Sequence, residues 1–241
     1  MEQLEATGCG QAMDVYREPL LIKSKQRVQK HGEVFTPRWV VEKMIAIPGI
    51  KEKTEDVFAT FLEPSAGEGA FLLAIENAKL QHACRNYSKE SWGAYALWAL
   101  TSIYGIEFLE DNLNVVRRGM LDLFAAFCET VYGRPISEET DLFKSARTII
   151  LANIVQGDAL TKKNRWGEEI TFSCWSQVPG TERMVERTAF TYSSLLAESR
   201  DKAPCPQGSL FGVLEQQSGE AAPAYAMADI EQVWREEREN G

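Results

Sequence analysis

The segment FLEPSAGEGAFL at residues 61–72 constrains the possible folds more than any other part of the sequence. A buried strand is predicted over 57–62, Pro64 ends it, and a helix is predicted to follow. Gly67 and Gly69 in the turn would let the backbone come close to a ligand at the helix N-terminus, where N–H groups are free and the dipole is positive. An ordinary strand-to-helix turn could carry the same two glycines, so both interpretations stay open here.

The chain beyond this turn alternates predicted helices with short apolar strands. Helices are predicted over 92–102, 111–132 and 138–152, the last with Ser137 as its cap, and strands over 103–108 and 153–158. Strands separated by helices of this length pair in parallel through crossovers. The pattern predicts an α/β fold, with an open, mostly parallel sheet and helices on both faces. Ligands of such sheets bind at the carboxyl ends of the strands.

The rest of the chain is predicted to be less regular. Residues 1–19 read as a flexible leader, 20–197 as the α/β domain, 198–225 as a linker, and 226–241 as a C-terminal helix. One short strand is expected within 168–178. Met227, Ile230, Val233 and Trp234 form the apolar stripe of the terminal helix, and such a stripe more often packs on its own domain than on a partner.

Charge and hydropathy limit the possible partners. Lys and Arg number 26 against 35 Asp and Glu, a formal net charge of -9. The molecule as a whole would repel a phosphate backbone, so any contact with nucleic acid must be local. No apolar run approaches the ~20 residues that span a bilayer, and no secretory signal is seen, so we expect no membrane association and a cytoplasmic location. The two histidines have no ligand-spaced partner, and we expect no metal.

Acidic side chains occur near the ends of three successive predicted strands. Glu63 precedes the glycine turn, where it would repel a pyrophosphate and attract an ammonium group. Glu107 could accept hydrogen bonds from both hydroxyls of a ribose, since a carboxylate is an acceptor only; a solvated acid at the start of a helix is the alternative. Asp158 could accept a hydrogen bond from the amine of an adenine, although Gly-Asp is also a common turn. Leu72 stands where a dinucleotide-binding loop would have its third glycine.

S-adenosyl-L-methionine has no phosphate and carries an amino-acid end, so it suits this loop better than a dinucleotide. The acid followed by Gly-x-Gly-x-Phe, here Glu63, Gly67, Gly69 and Phe71, resembles the first motif of S-adenosylmethionine-dependent methyltransferases. The resemblance implies their Rossmann-like fold and S-adenosyl-L-methionine as cofactor. The implied cofactor-binding residues are Phe35, Thr36, Pro37, Glu63, Pro64, Ser65, Ala66, Gly67, Gly69, Phe71, Glu107, Phe108, Asp158 and Ala159.

The segment HGEVFTP at residues 31–37 narrows the resemblance. It is similar to the Gly-x-x-x-Thr-Pro element that precedes the glycine loop in N6-adenine-specific DNA methyltransferases of restriction-modification systems, where the Thr-Pro turn closes over the methionine end of the cofactor. Thr36 is the matching residue. The resemblance covers residues 23–160 and implies methylation of adenine in DNA within a restriction-modification or phage-defence system, with DNA and other subunits of that system as partners.

The chain departs from that family in its catalytic tetrad. The family carries Asn/Asp-Pro-Pro-Tyr/Phe after its fourth strand, and this sequence has none. In the corresponding region stand Trp175, which could stack on a base, and Gln177, which could accept a hydrogen bond, although a plain loop is the better explanation of this segment. Catalytic residues are therefore unknown. Two hypotheses remain: an adenine methyltransferase that needs a partner subunit, or a catalytically silent, cofactor-binding regulatory or scaffold subunit.

A short peptide in the predicted linker suggests one further partner. The sequence QGSLF, from Gln207 to Phe211, resembles the Gln-x-x-Leu-Phe peptides that dock on bacterial sliding clamps. An ordinary linker that contains one Leu-Phe pair is the alternative.

Overall fold

The computed structural model describes residues 36–201 and 225–236. Phe35, the predicted leader, most of the predicted linker and the peptide from Gln207 to Phe211 lie outside these described residues. The helices are α1 (Arg38–Ile45), α2 (Ile50–Thr54), α3 (Ala70–Asn86), α4 (Lys89–Thr101), α5 (Glu110–Tyr132), α6 (Asp141–Asn153) and α7 (Tyr192–Asp201). The strands are β1 (Phe61–Glu63), β2 (Ile103–Glu107), β3 (Ile154–Gln156), β4 (Thr171–Gln177), β5 (Met184–Thr191) and β6 (Ala228–Asp229), and a 3-10 helix (Ile230–Arg235) follows β6.

The fold is mixed α/β and contains a parallel sheet of three strands in the order β1-β2-β3. Glu63 of β1 is the register partner of Gly105, and Glu107 of β2 is the register partner of Gln156 in β3. All three strands therefore end at the same edge of the sheet. That edge is where ligands of parallel sheets bind.

The two faces of the parallel sheet are covered differently. Ile103 of β2 and Ile154 of β3 belong to a core shared with the buried sides of α3 to α6. Tyr104 and Ile106, which alternate with Ile103 along β2, belong to a second core with β4, β5 and Leu195 of α7. The expectation of helices on both faces thus holds for one face, whereas antiparallel strands cover most of the other. The hydroxyl of Tyr104 donates to the carbonyl of Ser173 in β4 at 2.9 Å, which ties the two layers together.

The antiparallel sheet is made by β4, β5 and β6, in that order. β4 pairs with β5 over its whole length, from Thr171 opposite Thr191 to Gln177 opposite Val185. The strand expected within 168–178 is confirmed as β4, but sequence reasoning did not find β5.

Within the helix predicted over 226–241, the described residues form β6 and then a 3-10 helix of six residues. Residues of β6 pair with β5, and the carboxylate of Asp229 then accepts the N–H of Glu231 at 2.9 Å, which starts the 3-10 helix instead of an α-helix. The apolar stripe nevertheless packs on the same chain, since Ile230 and Val233 are buried in the first core. Met227 stays 55% exposed.

β1 is shorter than the strand predicted over 57–62. The ammonium group of Lys79 accounts for this, because it is buried beneath the turn that precedes β1. Its Nζ donates to the carbonyls of Asp56 at 2.6 Å and Ala59 at 2.7 Å. Carbonyls that point at one ammonium group curl the backbone into a turn and take no part in a strand ladder.

The cap of α6 also differs from the prediction. Thr140, not Ser137, accepts the N–H of Phe143, through its Oγ1 at 3.3 Å. Ser137 instead accepts the N–H of Glu139 in a separate turn. Both residues are good caps by type, so only the register of the helix distinguishes them. Among the described residues, none of the helices combines the length and the apolar character that spanning a bilayer requires.

Candidate functional site

The glycine loop joins β1 to α3 and is anchored on β2. The N–H of Ala66 donates to the carbonyl of Ile106 at 2.9 Å, which holds the loop over the carboxyl end of the middle strand. Oε1 of Glu63 accepts the N–H of Ser65 at 3.0 Å, and burial raises the pKa of Glu63. Pro64 and Ser65 are exposed at the tip of the turn. The sequence prediction of a strand, a glycine turn and a helix is confirmed here.

The two glycines of the loop have different surroundings. Gly69 has φ +94°, and a Cβ at this position would lie 2.4 Å from Cγ2 of Val116 in α5. Gly67 has φ +56°, and within the described part of the chain nothing beyond its neighbours comes within 4 Å of its Cβ position. Gly69 therefore allows α3 and α5 to pack closely, whereas Gly67 borders open space that a ligand could occupy.

Glu107 connects the loop to the first turn of α5. Its Oε2 accepts the N–H of Gly67 at 2.7 Å, and its Oε1 accepts the N–H of Leu109 at 2.9 Å. Nδ2 of Asn112 donates to the same Oε1 at 3.3 Å. The residue is only 6% exposed. The alternative of a solvated acid that merely starts a helix is therefore wrong.

Asn112 is a member of this group that sequence reasoning missed. It lies in the first turn of α5, on the buried side of the helix, and is 3% exposed. A polar residue on the otherwise apolar face of an amphipathic helix was the available signal, because a buried amide needs a hydrogen-bond partner.

The third strand brings its own residues to the same edge. The N–H of Gly157 donates to the carbonyl of Glu107 at 3.0 Å, so the turn that contains Asp158 is adjacent to the end of β2. Oδ1 of Asp158 accepts the N–H of Leu160 at 2.9 Å, and this hydrogen bond lowers the pKa of Asp158. Ala159 packs against the second core. Phe108 stands 59% exposed directly after Glu107.

The Thr-Pro element precedes a helix that packs against α3. Thr36 and Pro37 immediately precede α1, and Arg38 at the start of α1 lines a cavity of about 180 Å³ together with Ala70 at the start of α3. Direct hydrogen bonds connect Gly67, Glu107 and Gly157, whereas no hydrogen bond among the described residues joins Thr36 to the glycine loop. Phe71, in the first turn of α3, is partly buried.

The residues present are compatible with a nucleoside that carries an amino-acid end. An ionised carboxylate accepts about four hydrogen bonds, and the described residues use three on Glu107, so Oε2 keeps capacity for a hydroxyl. A second hydroxyl would compete with Asn112, whose bond is the longest of the three at 3.3 Å. The exposed ring of Phe108 could stack on a purine, and no described atom beyond its chain neighbours lies within 4 Å of the Cβ position of Gly67.

Trp175 and Gln177, from the region of the sequence that corresponds to the missing tetrad, lie away from the candidate cofactor site. Nε1 of Trp175 donates to Oδ1 of Asn153 at 2.9 Å, and Nδ2 of Asn153 donates to the carbonyl of Thr101 at 3.1 Å. Asn153 immediately precedes β3, so Trp175 packs at the amino end of the parallel sheet, opposite the glycine loop. Gln177 donates to the carbonyl of Glu182 within its own hairpin. The suggestion that these residues form a degenerate base-stacking site is therefore wrong.

No family model, no curated protein and no solved structure matches this chain. The site is therefore interpreted from its geometry and from the motifs of the sequence.

Proposed function

We propose that this chain binds S-adenosyl-L-methionine at the carboxyl edge of its parallel sheet. One observation carries the proposal: the glycine loop, Glu107 and the Gly157-Asp158 turn are joined by hydrogen bonds at the ends of three adjacent strands, in the order in which the sequence motifs follow one another. The Rossmann-like methyltransferase fold is part of this proposal. The three parallel strands are compatible with it, although the sheet is small.

Each residue has a proposed role that follows from its chemistry. Glu107 would accept a hydrogen bond from the ribose, Phe108 would stack on the adenine, and Asp158 would accept from the exocyclic amine. The N-terminus of α3 and Glu63 face the amino-acid end, where the burial-raised pKa of Glu63 would fall again beside an ammonium group. Thr36 would close over the methionine side chain.

The proposed activity is transfer of the cofactor's methyl group to adenine N6 in DNA, in a restriction-modification or phage-defence system, with the missing tetrad supplied by a partner subunit. The second candidate is a catalytically silent subunit that binds the cofactor and regulates or supports such a complex. The position of Trp175 at the opposite end of the sheet favours this second candidate, because nothing else in the described chain resembles the tetrad.

Calorimetry with S-adenosyl-L-methionine tests the binding proposal. We expect the Glu107→Gln variant to bind at least about tenfold more weakly than the wild type, which corresponds to about 1.4 kcal/mol. Glu129→Gln is the matched control, since it makes the same change at an exposed position near the far end of α5. Equal affinity of wild type and Glu107→Gln would remove Glu107 from the site, and no binding by the wild type would end the proposal.

Mass spectrometry of cellular DNA separates the two candidate activities. N6-methyladenine should be measured in cells that express the protein alone, and again in cells that also express the proteins encoded beside it. Methylation that appears in either condition and disappears with Glu107→Gln supports the enzyme. Absence of methylation in both, with cofactor binding intact, supports the silent subunit.

A further inference from the structure

The loop directly after Asp158 is rich in cations although the chain as a whole is acidic. Residues 160–167, LTKKNRWG, are here called the basic loop; they contain three cations and no acid, and are flanked by Asp158 on one side and by Glu168 and Glu169 on the other. A local concentration of Lys and Arg is what a molecule with excess negative charge needs in order to contact phosphates.

The backbone of the basic loop is fixed by its own hydrogen bonds. The N–H of Asp158 donates to the carbonyl of Lys163 at 2.9 Å, and the N–H of Ile170 donates to the carbonyl of Lys162 at 3.0 Å. Oδ1 of Asn164 accepts the N–H groups of both Trp166 and Glu168 at 3.0 Å. A loop that is already ordered loses little conformational entropy when it binds.

An exposed aromatic ring stands at the tip of this loop. Trp166 is 70% exposed, and the guanidinium of Arg165 lies 4.6 Å from the centre of its ring. Nη1 of Arg165 also lies 3.4 Å from Oε2 of Glu110, so its charge is partly matched. For Lys162 and Lys163, the described residues include no ion pair. An exposed indole beside unpaired cations combines a stacking surface with phosphate contacts.

We propose that the basic loop binds an unpaired DNA strand, with a base stacked on Trp166 and phosphates held by Lys162 and Lys163. The proposal rests on the proposed function for its placement, because the loop follows Asp158, a residue of the candidate cofactor site. A strand held there would pass beside that site. An unpaired strand is favoured over a duplex because only an unstacked base offers its face to an exposed indole.

Fluorescence anisotropy with a labelled single-stranded oligonucleotide tests the stacking contact. We expect Trp166→Ala to weaken binding at least about fivefold. Trp39→Ala is the matched control: Trp39 is 60% exposed and has the ammonium of Lys43 5.0 Å from its ring, but lies on α1. We expect this control to bind as the wild type does. Equal losses in both variants, or none in Trp166→Ala, would overturn the proposal.

The salt dependence of binding tests the charge contact independently. Replacing Lys162 and Lys163 together by Ala should reduce the slope of log Kd against log salt concentration by about 1.4, since each phosphate contact on a single strand contributes about 0.7. The matched control replaces the exposed Lys51 and Lys53 of α2, which changes the net charge equally. An unchanged slope in the first variant, or the same reduction in both, would contradict the proposal.

Competition assays identify the partner class. We expect an unlabelled single strand to displace the probe better than a duplex of the same sequence; preference for the duplex, or binding to anionic vesicles but not to DNA, would overturn the proposal. These assays need no cofactor, so a failure of the basic-loop proposal can be distinguished from a failure of the proposed function. Cofactor binding without DNA binding defeats only the basic loop, and loop-dependent DNA binding without cofactor binding defeats only the proposed function.

Discussion

Substitution of Gly69 by alanine is the sharpest test of how the glycine loop is built. A Cβ at this position would lie 2.4 Å from Cγ2 and 3.0 Å from Cβ of Val116. Val116 is fully buried, so it has no room to move away. The left-handed backbone conformation costs about 1 to 2 kcal/mol for any residue with a side chain. Overpacking adds about 1 to 3 kcal/mol. We therefore expect Gly69→Ala to lower the free energy of unfolding by about 2 to 5 kcal/mol.

The Gly67→Ala variant separates the cost of backbone strain from the cost of overpacking. Its backbone is also left-handed, with φ +56°, but no clash is found at its Cβ position among the described residues. We expect it to cost only the backbone strain, about 1 to 2 kcal/mol. The added methyl group would nevertheless stand in the space proposed for the cofactor, so affinity for S-adenosyl-L-methionine should fall more in this variant than its stability does.

A double-mutant cycle identifies the source of the extra cost. In a Val116→Ala background the nearest clash is gone, so the cost of Gly69→Ala should fall by about 1 to 3 kcal/mol, which is the coupling energy between the two positions. Urea unfolding followed by far-UV circular dichroism measures all four proteins. If Gly69→Ala costs no more than Gly67→Ala, or if its cost is the same with valine or alanine at 116, the packing argument is refuted.

Three further predictions concern buried polar groups. Glu76 is fully buried, neither of its oxygens has a hydrogen-bond partner among the described residues, and burial raises its pKa well above the ordinary 4.5, so the folded state keeps the proton longer than the unfolded chain does. Stability should therefore fall as pH rises above about 4.5. Glu76→Gln should remove this dependence and raise the free energy of unfolding at pH 8 by about 1 to 3 kcal/mol; an unchanged pH profile in urea titrations would contradict the reasoning. Burial lowers the pKa of Lys79 to about 7, so its neutral form dominates above that pH and its contribution to stability should rise with pH between about 7 and 10.5. Lys79→Met should be destabilised by about 2 to 4 kcal/mol, because the carbonyls of Asp56 and Ala59 lose their donor; thermal unfolding at the wild-type temperature would disprove this. Trp175→Phe removes the donor to Asn153 and should cost about 1 to 3 kcal/mol while leaving cofactor affinity unchanged in calorimetry, whereas a loss of affinity would return Trp175 to the site.

The sequence was sufficient to predict the three parallel strands and the edge of the sheet at which they end. Gly67, Glu107 and Asp158 could be assigned to one edge because parallel strands in an α/β pattern end on the same side. The hydrogen bond between Gly67 and Glu107 spans 40 residues of sequence, however, and only the packed sheet determines that the carboxylate reaches the loop. Asn112 is only five residues from Glu107, and its place on the apolar face of α5 was the signal that could have identified it.

The antiparallel hairpin could not be predicted with the same rules. In β4, four consecutive residues are buried. Phe172 and Cys174 belong to the second core, whereas Trp175 belongs to the first, so both faces of the strand are covered. The alternation of buried and exposed residues that identifies a strand in a sequence is therefore hidden. β5 carries a buried charge, Arg187, whose guanidinium lies 4.7 Å from the ring of Trp175 and 4.2 Å from that of Tyr225. In the sequence this stretch looks like a charged surface, since nothing local indicates that two aromatic rings will cover the arginine.

Glu107 holds the loop together and is also the proposed ligand of the ribose, and these two roles predict different thermodynamics. If the carboxylate only supports Gly67 and Leu109, Glu107→Gln lowers the unfolding temperature equally with and without S-adenosyl-L-methionine. If it also binds the cofactor, the variant additionally loses the stabilisation that ligand binding gives, which for the wild type grows as RT ln(1 + [L]/Kd). At a ligand concentration 100 times the wild-type Kd this stabilisation is about 2.7 kcal/mol, and a tenfold weaker variant keeps only about half of it. The difference between the two melting curves of each protein therefore isolates the ligand role from the structural one.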